Sequence, residues 1–127
     1  MSDPLSMAPL AAHPSEHIDE AFPAILRDRA AEAETLKDLH PDQIELVYAQ
    51  KWFQMFVPAT YGGLSWSLPE VLRMEEALSW ADGSTGWVTT LCAGAGWFAG
   101  FLPPALAARV FADDKVCIAG SGAATGV

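Results

Sequence analysis

Four groups of residues in this chain have types and spacings that could do chemistry. The most suggestive is Gly120-Ser121-Gly122-Ala123-Ala124-Thr125-Gly126, where Gly120, Gly122 and Gly126 spell GxGxxxG directly after an apolar run. Backbone N–H groups in such a loop can cradle phosphate without a positive side chain, as in a dinucleotide-binding turn. The helix that would hold the pyrophosphate and the acidic residue about 20 positions on do not follow, and there is no GxxxxGK[ST] loop. His13 and His17 stand four apart like a helical metal pair, but Pro14 between them breaks a helix, so solvated histidines and no metal are expected. Cys92 and Cys117 match neither a disulfide framework nor a zinc motif. Cys92 lies in an apolar stretch without a basic neighbour, which predicts a packed, inert thiol. Glu75-Glu76 falls on an amphipathic stretch, where such pairs are solvated. No catalytic residue can be named.

The elements that must position these groups are helical. Ser15 is expected to cap a first helix to about Lys37, with Ile18, Phe22, Ile25, Leu26, Ala33 and Leu36 at helical spacing. Pro23 either kinks it or marks its first turn. Pro41-Asp42 starts a second helix to about Trp52, carrying Ile44, Val47 and Tyr48 on one stripe. Phe56-Val57-Pro58 exits extended, and Tyr61-Gly62-Gly63-Leu64 reads as a turn needing positive φ. Ser67 and Glu70 have capping-box spacing and open a third helix to about Ala81, with Val71, Leu72, Met74, Ala77 and Leu78 inward. Ser84 can cap a fourth, to about Phe101, and Pro103-Pro104 opens a short fifth over Ala105–Ala112. Val116-Cys117-Ile118-Ala119 reads as a buried strand, and a strand without a partner leaves its backbone unpaired.

Composition narrows the function classes. Sixteen acidic against seven basic residues give a net charge of −9, which repels phosphate backbones, so nucleic acid is not an expected partner. Gly86–Leu102 is an uncharged run of 17 residues, at the lower edge of a membrane span, with a Gly96/Gly100 GxxxG pair. Its threonines, glycines and acidic flanks favour a buried helix in a soluble protein, and no membrane association is expected. The first residues lack the basic flank and apolar run of a signal peptide. With unpaired cysteines, this points to the cytoplasm. The expected organisation is a flexible leader over 1–14, a helical domain over 15–114, and over 115–127 the first strand and glycine-rich loop of a β domain. The fold class is all-α, a bundle of about five helices ending in one strand that opens a missing β domain. An uncharged helix also implies neighbours on every side, so the chain reads as an N-terminal piece of a larger fold or an assembling module.

The order of these motifs carries a resemblance. Val57-Pro58, Tyr61-Gly62-Gly63-Leu64, a helix, Ala81-Asp82-Gly83-Ser84-Thr85-Gly86-Trp87, then Pro103, a short helix and the glycine-rich end together resemble the N-terminal helical domain of acyl-CoA dehydrogenase-like flavoproteins. The Ser-Thr-Gly-Trp run and the closing Ala-Gly-Ser-Gly-Ala-Ala-Thr-Gly are nearer the flavin-dependent monooxygenase branch. Its oxygenase components hydroxylate aromatic or other bulky apolar substrates with reduced flavin from a separate reductase.

Such a resemblance implies a full-length enzyme with FAD or FMN, a small-molecule substrate, a flavin reductase as possible partner, and a homo-oligomeric state. It implies backbone contacts from Ile118 and Ala119 to the flavin's pyrimidine edge, Thr125 at a pyrophosphate-binding position, and Trp87, Cys92, Ala93 and Gly96 at a substrate pocket floored by the fourth helix. Ala119-Gly120-Ser121 stands where dehydrogenases usually carry Thr-Glu-Pro, which favours the monooxygenase branch. Lys51 replaces a glycine usual before the Val-Pro segment. The alternatives are an acyl-CoA dehydrogenase N-terminal domain and a non-catalytic helical assembly module.

Overall fold

The computed structural model describes residues 12–124 and Gly126. Six helices follow one another among these residues: α1 (Ala21–Asp28), α2 (Ala30–Leu36), α3 (Pro41–Ala49), α4 (Leu68–Ala81), α5 (Gly83–Gly96) and α6 (Pro104–Val110). Tight 3-10 turns at Pro14–His17, Trp52–Gln54, Ala59–Tyr61 and Trp97–Phe101 join them. The expected all-α bundle forms, with six helices rather than five.

The additional helix comes from the first periodic stretch, which divides into a turn and two helices. His13, not Ser15, caps the turn: its Nδ1 accepts from Ser15 N at 3.3 Å, and its own N–H donates to Glu16 Oε1 at 3.3 Å. Pro23 marks a first turn rather than a kink, since α1 starts only two residues earlier. Arg29 then leaves helical geometry, at φ −101° and ψ −3°. Its guanidinium donates to Asp42 Oδ2 at 2.7 Å and Glu32 Oε1 at 2.8 Å, tying the break to the start of α3. His40 caps α3, accepting from Asp42 N at 3.1 Å, so its Nε2 carries the proton and faces Glu32 Oε2 at 3.1 Å. Two of the three histidines therefore act as caps, His13 while still exposed to solvent and His40 while half-buried.

Behind His40, the buried side chain of Gln43 accepts from His40 N at 2.9 Å and donates to the Leu26 carbonyl at 2.9 Å, locking α3 to α1. The helix stops at Ala49 rather than Trp52 because Lys51 adopts φ +57°, the left-handed region that favours glycine. Its Nζ donates to the Gly62 carbonyl at 2.9 Å and anchors the following loop. That loop folds back on itself through Leu64 N to Gln54 O at 3.0 Å and Trp66 N to Met55 O at 2.8 Å. Gly62 has the expected positive φ, +85°. Gly63 is required for another reason: a Cβ there would overlap the Val57 backbone.

Ser67 and Glu70 form the expected capping box at the start of α4, with Ser67 N and Oγ each donating to Glu70 Oε2 at 2.7 Å. These bonds hold the Glu70 carboxyl below its ordinary pKa. Leu72 corrects the inward set, since it is about half exposed. At the far end, Arg27 caps α4 by donating to the Ala81 and Trp80 carbonyls at 3.0 and 3.2 Å, its guanidinium over the Trp80 ring. Asp82, rather than Ser84, caps α5: its Oδ2 accepts from Thr85 N at 2.9 Å and Thr85 Oγ1 at 2.6 Å. α4 and α5 are the most closely associated pair of helices.

Two apolar clusters result. The larger gathers Leu26, Val47, Trp52, Phe53, Met55, Val71, Leu78 and Ala93 from α1, α3, α4, α5 and the 52–55 turn. A smaller one joins Val57, Ala99, Ala107 and Phe111, with Val116 and Ile118 packed against it. No strand forms over Val116–Ala119 or elsewhere among the described residues. That expectation is corrected for a simple reason: no other segment offers an edge to pair with. No helix among the described residues is long and apolar enough to cross a membrane.

Candidate functional site

α5 has two unlike faces. Thr85, Gly86, Thr89, Ala93 and Gly96 are buried. Gly86 admits no side chain, because a Cβ there would overlap Ser79 of α4. Gly96 lies against the 53–57 segment, where a Cβ would stand 3.4 Å from the Phe53 carbonyl and 3.4 Å from Val57 Cγ2. The opposite face carries Trp87, Leu91 and Gly94, and the 3-10 turn continues it with Phe98 and Phe101; the large side chains among these are exposed. The Gly96/Gly100 pair does not form one small-residue face, because Gly96 is buried and Gly100 is exposed.

Between these faces the tail passes over α5. A Cβ on Gly120 would lie 3.6 Å from the Ala95 side chain, an ordinary contact, and Ile118 is half-buried on the second cluster. Cys117 is exposed as a residue, yet its thiol is partly buried and lies close enough to Cys92 to be influenced by it. Burial first, and then Cys92, pushes the Cys117 thiol up to about 12. The Tyr48 phenol stands near both thiols, and its pKa is raised by burial and then by Cys117, Cys92 and Asp113. Its ring is edge-on to Phe53 at 5.4 Å. Cys92 is thus half-buried, as its apolar surroundings predict, but it has a sulfur partner that the spacing of the two cysteines did not suggest.

The positions that the resemblance singled out are divided by this geometry. Cys92 and Ile118 meet the tail seam, and Ala119 is exposed beside it. Ala93 and Gly96 are on the buried face of α5, and Trp87 is exposed on its far side. Thr125 lies outside the described residues. Among the described residues, Cys117 to Gly120 exchange no hydrogen bonds with other backbone groups.

Two grooves lie elsewhere. One, of about 440 Å³, is lined by His17, Trp66, Pro69, Glu70, Arg73 and Met74. The other, of about 720 Å³, runs between α2 and the start of α5 and includes Trp87. The carboxyl of Glu75 is half-buried and raised by desolvation, unlike its solvated neighbour Glu76, which pairs with Arg73 at 3.3 Å.

No family model matches the chain, and no solved structure matches it. Over 88 residues the chain is 35% identical to an indole-3-acetate monooxygenase of Pseudomonas putida. The match covers 68% of this chain and 23% of that protein, so the chain spans about a quarter of the length of the curated relative. This similarity links the chain to the monooxygenases.

Proposed function

We propose that this chain is the N-terminal helical part of a flavin-dependent monooxygenase of the acyl-CoA dehydrogenase-like type, acting on an aromatic or other bulky apolar substrate. The 35% identity to a monooxygenase over 88 residues carries the reading. The tail, whose Gly120 lies over Ala95 of α5, stands where the motif order anticipates flavin contacts. In this reading Ile118 and Ala119 hold the pyrimidine edge of FAD or FMN, and Thr125 lies near the pyrophosphate. Bound reduced flavin supplies the two electrons that split O2, one oxygen atom entering the substrate and the other leaving as water.

The chain's own residues have positioning tasks. Gly96, against the 53–57 segment, and the small buried Ala93 would set the height of the pocket floor in this reading. Cys92, Tyr48 and Ile118 give that floor an apolar lining that excludes water. Trp87 stands apart from this seam. Reduction by a separate flavin reductase fits the monooxygenase reading. A thioester-oxidising role has less support, because Ala119-Gly120-Ser121 provides no hydroxyl at the first and no carboxylate at the second of these positions.

The test uses the natural gene product, tagged at its N-terminus and isolated from its source cells. Reduced FAD or FMN is supplied by a reductase, with indole-3-acetate as the first substrate and 18O2 as oxidant. Labelled product is expected with one flavin, and Ala119→Pro, which removes one backbone N–H at an exposed position, weakens flavin binding on the order of tenfold. The absence of both flavin binding and labelled product across a panel of aromatic substrates would overturn the proposal.

A further inference from the structure

We infer that His40 is a proton-operated latch at the start of α3: neutral, its Nδ1 caps the helix, and protonated, it gives up the cap for the Asp42 carboxylate. The residues stand in a His-Pro-x-Gln order, His40-Pro41-Asp42-Gln43, whose capping box rests on the imidazole. Nδ1 accepts from Asp42 N at 3.1 Å, and Nε2 faces Glu32 Oε2 of α2 at 3.1 Å. An imidazole bound in this way keeps its one proton on Nε2 and its free lone pair on Nδ1. A second proton, taken from solvent, can go only to Nδ1. There it turns the acceptor into a donor and sets it against the Asp42 N–H, so the cap bond is lost. The nearest acceptor for the new N–H is Asp42 Oδ2, 3.7 Å from Nδ1.

The surroundings of the ring make this proton matter beyond one hydrogen bond. The side chain is 15% exposed, so water does not freely replace the lost acceptor. Asp42 Oδ2 is already held by Arg29 Nε at 2.7 Å, and Arg29 Nη1 also holds Glu32 Oε1 at 2.8 Å. Among the described residues, Glu32 and Asp42 are the charged groups in contact with the imidazole, with Arg29 behind both. Asp38, in the preceding turn, accepts from Leu39 N at 2.8 Å. α1 meets the box through a neutral bond: Gln43 accepts from His40 N at 2.9 Å and donates to the Leu26 carbonyl at 2.9 Å. A protonated His40 therefore draws Asp42 from Arg29, and the tie between the α1–α2 break and α3 passes from guanidinium to imidazolium. His13 repeats the pattern in His13-Pro14-Ser15-Glu16, but its ring is exposed and Ser15 Oγ, 2.8 Å from Nδ1, is a neutral partner. Protonation there moves no ion pair, which is why the latch is assigned to His40. The inference does not depend on the functional reading above.

The experiment follows the rings and amides of the 15N-labelled chain by NMR between about pH 8 and about pH 5, the range in which histidine side chains change charge. At the upper end, long-range 1H–15N spectra are expected to show the Nε2–H tautomer at His40. On acidification, the Asp42 amide and the Arg29 Nε–H should both move with the midpoint of the His40 ring. Hydrogen exchange at the Asp42 amide, corrected for its intrinsic pH dependence, should quicken on the order of fivefold or more, as loss of a helix cap implies. His40→Asn, whose side-chain oxygen caps without titrating, should hold the Asp42 amide still over the same range. An Nδ1–H tautomer at the upper pH overturns the inference, as does an Asp42 amide that stays in place while the His40 ring titrates. So does an amide that moves in His40→Asn as it does in the unsubstituted chain, since the Asp42 carboxylate itself would then be the cause. The first two outcomes are read on the unsubstituted chain, so the inference can be overturned even where His40→Asn does not fold.

Discussion

The inner and outer faces of α5 use glycine for opposite purposes. On the inner face, Gly86 is a packing device that lets Ser79 of α4 lie directly on the helix, and Gly96 lies against the 53–57 segment, where a Cβ would stand 3.4 Å from its nearest neighbours. On the outer face, Gly94 and Gly100 touch nothing within 4 Å of where a Cβ would stand. The comparison teaches that glycine content alone does not say what a helix does. Each glycine costs a helix interior about 1 kcal/mol relative to alanine. Inside the bundle that cost is offset by close approach, and outside it nothing within the chain offsets it.

The largest expected effect comes from breaking this contrast at both ends. Gly86→Ala forces its new methyl into Ser79, whose backbone cannot move without displacing α4, so a loss of about 3 kcal/mol or more is expected in urea denaturation. Gly94→Ala should instead stabilise by about 0.5–1 kcal/mol, since the methyl meets open space. If both substitutions shifted stability alike, the two faces would not differ in the way the packing implies.

Hydroxyls sharpen the comparison within the inner face itself. Thr85 and Thr89 are one helical turn apart and both fully buried. The Thr85 hydroxyl donates to Asp82 Oδ2 at 2.6 Å, whereas the Thr89 hydroxyl has no hydrogen-bond partner among the described residues. Thr85→Val removes a hydrogen bond to a charged acceptor and should cost about 1.5–3 kcal/mol. The same change at Thr89 removes an unsatisfied buried polar group and should gain about 1 kcal/mol. Equal effects in thermal or urea unfolding would show that Asp82 is not holding the start of α5.

Much of this architecture was legible in the sequence because it is written locally. The Ser67/Glu70 capping box, the Gly62 turn and the start of α3 at Pro41 each depend on residues within a few positions of one another. What remained hidden depends on distant partners. Arg27 caps α4 across more than fifty positions, and Gln43 reaches back to Leu26. Neither pairing has a spacing that could be recognised. Ser84 looked like the α5 cap because serine is a good one; Asp82 takes the role because its carboxylate reaches both Thr85 donors. The strand at 116–119 was read correctly as apolar but lacks an edge to join. As for the site, small residues at 93 and 96 were visible, whereas their direction, inward and away from the tail, needed the fold. The meeting of Cys92 and Cys117 had no sequence signal, because contact between an interior helix and a tail is decided by how the chain returns over α5.

That meeting offers the finest test, because the tail seam lies between the two faces of α5 and is held by less than either. The ordinary thiol pKa is 9.0, and Cys117 is pushed up to about 12, by burial first and by Cys92 second. A folded-state pKa above the unfolded one stabilises the protonated, folded form. That contribution is fully present below pH 9 and is lost as pH rises toward 12. Alkylation proceeds through the thiolate, so Cys117 in the folded protein should react with iodoacetamide at pH 8 on the order of 100-fold or more slowly than in urea, although the residue is exposed. Cys92→Ala removes the second cause and leaves the first, so it should restore only part of the unfolded rate. Following each site by mass spectrometry separates the two thiols. A Cys117 that reacts at its unfolded rate would mean the tail does not rest on α5, and with that the seam would lose its place as a binding surface. Full restoration by Cys92→Ala would show instead that the neighbouring thiol, rather than burial against α5, is what keeps Cys117 protonated.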